Sequence, residues 1–111
     1  MKVVPVHPGV APPQKLGEAG QSLWDRIQHD YVIADEAGRE LLSQAALAAD
    51  MARTLEQAIE RDGPTIATNS GVRSNPAVRD LLQQRSFIVR TLQRLGVTDE
   101  AIQAVGRRRG R

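Results

Sequence analysis

Apolar positions recur every three to four residues along most of this chain, and polar punctuation cuts the periodic stretches into separate helices. Leu16, Gly20, Leu23/Trp24, Ile27 and Tyr31 share one face, which predicts a first amphipathic helix over residues 17–30. Asp35 is a good N-cap and Glu36 complements the helix dipole, so a second helix is expected from there to Asp62, where Gly63-Pro64 stops it. Within it Leu41, Ala45, Ala48, Ala52, Leu55 and Ile59 recur at spacings of 4, 3, 4, 3 and 4, a seam made mostly of alanine. Small side chains let helix axes approach closely, so this long helix should pack against an antiparallel partner, in the same chain or another.

Residues 65–74 carry the punctuation of a loop, with Asn69, Ser70, Gly71 and Ser74, and Thr65-Ile66 can make one short strand before it. Asn75-Pro76, a cap followed by proline at the first helical position, opens a third helix that reaches Leu95-Gly96. Its apolar face is Val78, Leu81/Leu82, Ile88/Val89, Leu92 and Leu95. Arg85 falls where that face expects a hydrophobe, so it either lays its stem on the apolar surface or pairs with a carboxylate of the facing helix, Glu56 or Glu60. Thr98 caps a last short helix through about Val105, with Asp99 and Glu100 in its first turn. The fold class is therefore all-α: a helical hairpin or small bundle around a long Ala-rich central helix.

The ends differ in kind. Prolines at 5, 8, 12 and 13 make residues 1–15 an extended arm, residues 16–105 form the helical domain, and residues 106–111 are an Arg-rich tail. A chain of 111 residues is one domain. With only Trp24, Tyr31 and Phe87 aromatic, its core is thin, and association would complete it. There is no cysteine, which excludes disulfides, thiolate catalysis and Cys-based zinc sites and suits a reducing compartment. No run approaches the ~18 apolar residues that span a bilayer, and the start lacks the apolar run of a signal peptide, so an intracellular protein with no membrane partner is expected.

Charge is sorted by position: residues 1–72 hold 6 Lys+Arg against 10 Asp+Glu, and residues 73–111 hold 9 Arg against 3 acids, so the net +2 hides a −4 front and a +6 back. Such a split suggests a polyanion-binding region. Of the 15 basic residues 13 are Arg, the side chain that grips phosphate in bidentate fashion. Arg79, Arg90 and Arg94 are spaced to form one stripe on the third helix. Together with Arg73 before the helix and Arg107, Arg108, Arg109 and Arg111 in the tail, they are the candidate DNA-binding residues. The scarcity of aromatics removes a stacking platform for single strands and favours duplex DNA. A helix-turn-helix at the first junction is disfavoured, because Asp35, Glu36 and Glu40 at the start of the would-be recognition helix repel phosphate.

Catalytic patterns do not emerge. His7 and His29 have no ligand-spaced partner, so no metal is expected; the Walker phosphate-loop pattern is missing; and Asp25, Asp30, Asp35 and Glu36 read as surface and capping residues. The chain is expected to be no enzyme and to use no cofactor. Two other readings of the same charges are a helical adaptor docking its Arg tail on an acidic protein partner and a small nucleoid-type DNA-binding protein.

The order of several segments sharpens the choice: Pro12-Pro13 then Leu16-Gly17-Glu18-Ala19-Gly20 and Leu23-Trp24; Asp35-Glu36-Ala37-Gly38 and Leu41-Leu42; an Ala-rich helix ending Ile59-Glu60-Arg61-Asp62-Gly63; Gly71 then Asn75-Pro76-Ala77-Val78; and Leu92-Gln93-Arg94-Leu95-Gly96-Val97. Over residues 12–97 this order resembles the small terminase subunit of tailed double-stranded DNA bacteriophages. The resemblance implies an all-helical, non-catalytic subunit in the host cytoplasm that assembles into a ring of about eight to ten copies. It also implies that the subunit binds viral duplex DNA for packaging and regulates a separate large terminase subunit carrying ATPase and nuclease activity. Gly17 stands where such proteins commonly place a Ser or Thr cap, which predicts a weak start to the first helix. No DNA-contact residue carries over by motif, so the arginine assignments rest on charge.

Overall fold

A computed structural model describes residues 11–31, 33–98, 100 and 102. Its elements are α1 (Glu18–Asp30), α2 (Glu36–Asp62), β1 (Thr65–Thr68), β2 (Gly71–Ser74) and α3 (Pro76–Arg94). The chain is mostly helical but not all-α, because the segment expected as a loop is an antiparallel hairpin. Thr65 pairs with Ser74, Ile66 with Arg73, Ala67 with Val72 and Thr68 with Gly71. Asn69 and Ser70 span the turn, and the Thr68 hydroxyl closes it by donating to the Gly71 carbonyl at 2.8 Å. The dense turn residues hid the second strand, whose only β-branched member is Val72.

Every residue of the hairpin is exposed, so its order comes from its base. There Asn75 is buried and fully used. Its amide side chain donates to the Gly63 carbonyl at 2.8 Å, its side-chain oxygen accepts from the Ala77 amide at 3.0 Å, and its backbone N–H donates to the Pro64 carbonyl at 2.8 Å. One residue thus closes the end of α2, the foot of the hairpin and the start of α3.

The long helix α2 begins as its sequence predicts, with the Asp35 carboxylate accepting from the Gly38 amide at 2.9 Å. Helix α1 begins differently. Gly17 has no side chain to cap with, and Asp50, far along α2, does the work instead: it accepts from the Gly17 amide and the Gly20 amide, both at 2.7 Å. That geometry needs the helices almost in contact, since a Cβ on Gly20 would sit 2.5 Å from the Ala46 carbonyl oxygen. The expected weak start is therefore reinforced from a neighbouring helix.

Helix α3 ends in a Schellman turn, with the Gly96 amide donating to the Gln93 carbonyl and the Val97 amide to the Leu92 carbonyl, each at 3.0 Å. Gly96 sits at φ +90°, open to glycine and strained for other residues, and the turn delivers Val97 into the core.

That core is Leu23, Trp24, Ile27, Ile33, Leu42, Ala45, Ala49, Leu92 and Val97. It lies where α1 covers the first half of α2, and the Thr98 amide donates to the Tyr31 hydroxyl at 3.3 Å to tie the ends of α1 and α3 together. The alanine seam needs correcting. Ala45, Ala48 and Ala52 are buried as expected, but so are Leu42, Ala46 and Ala49, whereas Leu41, Leu55 and Ile59 are half-buried. The reason is that α2 has two partners, and a single heptad stripe describes one of its two packed faces. On α3 the apolar doublets resolve the same way: Leu81 is buried and Leu82 exposed, Ile88 half-buried and Val89 exposed, because adjacent residues diverge by ~100°. Residues 1–10 of the arm lie outside the described residues; residues 11–15 form neither helix nor strand. Of the expected last helix, Glu100 and Ile102 are described and helical, and the rest through Val105 lies outside.

Candidate nucleic-acid interface

The stripe on α3 follows from its period. At ~100° per residue Arg90 and Arg94 fall within about 20° and 60° of Arg79, and the three span ~22 Å of helix. All three are exposed, as is Arg73 on β2. None of the four makes an ion pair among the described residues; Arg90 donates to the Ser86 hydroxyl at 2.7 Å, one turn back on its own helix. Asp80 is the sole acid of α3 and points ~100° away from Arg79. The stripe is therefore a run of guanidinium groups without ion pairs among the described residues, flanked by Asp80 about 40° from the line of Arg94, and guanidinium groups of this kind suit phosphate.

Other arginines are withdrawn from such use. Arg85 pairs with Glu56 at 2.8 Å, one of the two partners expected for it, and Arg53 reaches the same carboxylate at 3.4 Å. Arg61 binds Asp62 through two nitrogens, at 3.1 and 3.2 Å, and this hydrogen bond and charge raise its pKa above the ordinary arginine value. Arg53, Arg61 and Arg85 are thus held by carboxylates, whereas, among the described residues, Arg73, Arg79, Arg90 and Arg94 are not.

The structure brings Arg79, Arg90 and Arg94 together on one face and sets Arg73 apart on the hairpin, beside Ile66. Arg107, Arg108, Arg109 and Arg111 lie outside the described residues. What sequence reasoning missed is the hairpin itself as a carrier of polar groups. Its signal was present: residues 63–79 contain no Asp or Glu, and Thr65, Thr68, Asn69, Ser70 and Ser74 offer hydrogen-bonding side chains around Arg73. Among the described residues no group of three or more His, Asp or Glu could hold a metal ion, and no helix is long and apolar enough to cross a membrane.

Compared with known proteins, this chain matches no family model, no curated protein and no solved structure.

Proposed function

We propose that this chain is a small terminase subunit of a tailed double-stranded DNA bacteriophage: a ring-forming packaging protein, without catalytic activity of its own, that binds viral duplex DNA and regulates the large terminase subunit. The observation that carries the reading is the stripe of Arg79, Arg90 and Arg94, exposed and free of ion pairs among the described residues. Support also comes from the order of sequence segments and from Arg73, exposed on the hairpin that precedes α3. Phosphate contacts of this kind hold a duplex without reading its bases, which suits a protein that must grip and release DNA in passage.

The test is a titration of a duplex fragment at rising salt. Each phosphate contact adds roughly 0.9 to the slope of log affinity against log salt. Replacing Arg79, Arg90 and Arg94 with alanine is expected to lower that slope by about three and to weaken binding at least ~10-fold at low salt. Deleting residues 106–111 should lower it further. An unchanged slope in both variants would remove the electrostatic basis of the proposal.

A further inference from the structure

The fold makes no internal use of the hairpin β1–β2. Every one of residues 65–74 is exposed, and among the described residues neither outer edge pairs with a further strand. Within that set, the Thr68 hydroxyl is the one side-chain group of the hairpin that makes a hydrogen bond. Yet the ribbon is firmly mounted, because buried Asn75 ties its foot to the end of α2 and the start of α3. Ordering residues 65–74 without burying any of them costs conformational entropy that no internal contact offsets.

Its chemistry differs from that of the stripe. The guanidinium groups on α3 only donate, which matches phosphate oxygens. The hairpin sets one guanidinium, Arg73, among hydroxyl and amide groups that both donate and accept, on Thr65, Thr68, Asn69, Ser70 and Ser74. Base edges in a duplex offer that mixture of acceptors and donors, with a methyl group on each thymine, whereas phosphates offer acceptors alone. No Asp or Glu stands between Gly63 and Arg79 to repel the phosphates that line a groove. Size agrees: the major groove, ~12 Å wide, admits a two-stranded ribbon, and the minor groove, ~6 Å wide, is too narrow for strands ~4.8 Å apart with their side chains. Register then divides the side chains. Paired residues share a face, so Ile66, Thr68 and Arg73 lie on one and Thr65, Ala67, Val72 and Ser74 on the other. The first face holds the group that takes the N7 and O6 of a guanine in bidentate fashion, with Ile66 paired beside it to meet a thymine methyl.

We propose that the β1–β2 ribbon enters the major groove of duplex DNA with its Ile66, Thr68 and Arg73 face on the base edges, and that Arg73 reads a guanine there. This rests on the duplex-binding reading above and adds base recognition to the phosphate contacts of α3, which position a duplex without distinguishing its sequence.

The test starts from a pool of random-sequence duplexes offered to the full-length protein. A guanine-containing site should be enriched, and the enriched duplex should bind at least ~10-fold more tightly than the starting pool. Arg73→Ala should bind the two alike with its salt slope unchanged, whereas Arg79→Ala should weaken both equally and lower the slope by roughly one. Val72→Thr, on the opposite face, should keep the preference. Methylation of guanine N7 by dimethyl sulfate, on the major-groove edge, should weaken binding of the unaltered protein and leave that of Arg73→Ala as it was. All three substitutions fall at exposed positions, so helical circular dichroism should not change. Salt-dependent duplex binding with no enriched site would overturn this inference and leave the proposed function standing. A preference that survives Arg73→Ala would overturn it as well, and a slope lowered in that variant would make Arg73 a phosphate contact. Interference from methylated adenine N3 alone would put the contact in the minor groove and overturn the assignment. No affinity for any duplex would sink the proposed function and this inference together.

Discussion

The two halves of the long helix α2 live in different surroundings. Its first half lies between α1 and α3, and there Trp24, Leu42 and Leu92 are almost completely buried with Ile27 and Val97 around them. Its second half meets α1 near its start, where Asp50 accepts from the Gly17 and Gly20 amides, and further on Leu55, Ile59 and Val78 are half-buried while Leu82 is 58% exposed. Both halves are written in the same amphipathic period, so period alone does not decide whether a helix face is closed. The number of neighbours decides it. The proximal half can hold the fold, and the distal half, with the hairpin at its end, leaves large apolar side chains in water.

The largest expected effect separates the halves directly. Trp24→Ala removes a side chain that is 1% exposed and should cost about 3–5 kcal/mol, much of what a domain of this size has. Ile59→Ala, at a half-buried distal site, should cost about 1 kcal/mol in the monomer. Urea unfolding followed by circular dichroism at several protein concentrations checks both. If a second copy covers the distal half, the cost of Ile59→Ala grows with concentration more steeply than that of Trp24→Ala. Equal costs at low concentration would break the comparison.

Next in size are the contacts that hold α1 against α2. Gly20→Ala forces a methyl group to within 2.5 Å of both the Ala46 carbonyl oxygen and the Asp50 carboxylate, so the helices must separate. The expected loss is about 2 kcal/mol despite the higher helix propensity of alanine. Asp50→Ala leaves the Gly17 and Gly20 amides without their acceptor and should cost about 1–2 kcal/mol, with fraying that begins at the start of α1. Amide hydrogen exchange reads that fraying: protection should fall first at residues 18–21 and leave α3 unchanged. A loss spread evenly over all three helices would mean that α1 is no separate layer.

Much of this was legible in the sequence. The starts and stops of α2 and α3 were, because Asp35, Asn75-Pro76, Gly63 and Gly96 act through their own backbone and neighbours a few residues away. So was the stripe on α3, since helical period places Arg79, Arg90 and Arg94 once the helix is granted. The cap of α1 was not legible, because Asp50 is 33 residues from Gly17 and only packing brings them together. The second packed face of α2 was hidden for the same reason: a stripe that includes Leu42, Ala46 and Ala49 becomes visible only when α1 is laid on it. The strand β2 was masked by Gly71 and Ser74, which read as loop and serve here as strand ends. Of the candidate site, the charges could be listed from the sequence, but their division into free and neutralised arginines required Glu56 and Asp62 in place.

The smallest effect is expected at the charge pair of the distal half, and its size is informative. Arg85 is 55% exposed and Glu56 21%, so water and salt screen their 2.8 Å contact even though the arginine lies on the seam side of α3. Arg85→Gln should therefore cost no more than about 1 kcal/mol in the isolated chain, and less as salt rises. Glu56→Gln should cost slightly more, because it releases Arg53 as well as Arg85. If copies associate over the groove that these residues line, the same pair is desolvated in the assembly, and an unpaired Arg85 there becomes a buried charge. Glu56→Gln should then disturb assembly more than it disturbs the monomer, seen as a rise in the concentration at which light scattering reports half-assembly. A shift no larger than that caused by the monomer's own loss of stability would leave the pair a surface ion pair and place the contact elsewhere on the distal half.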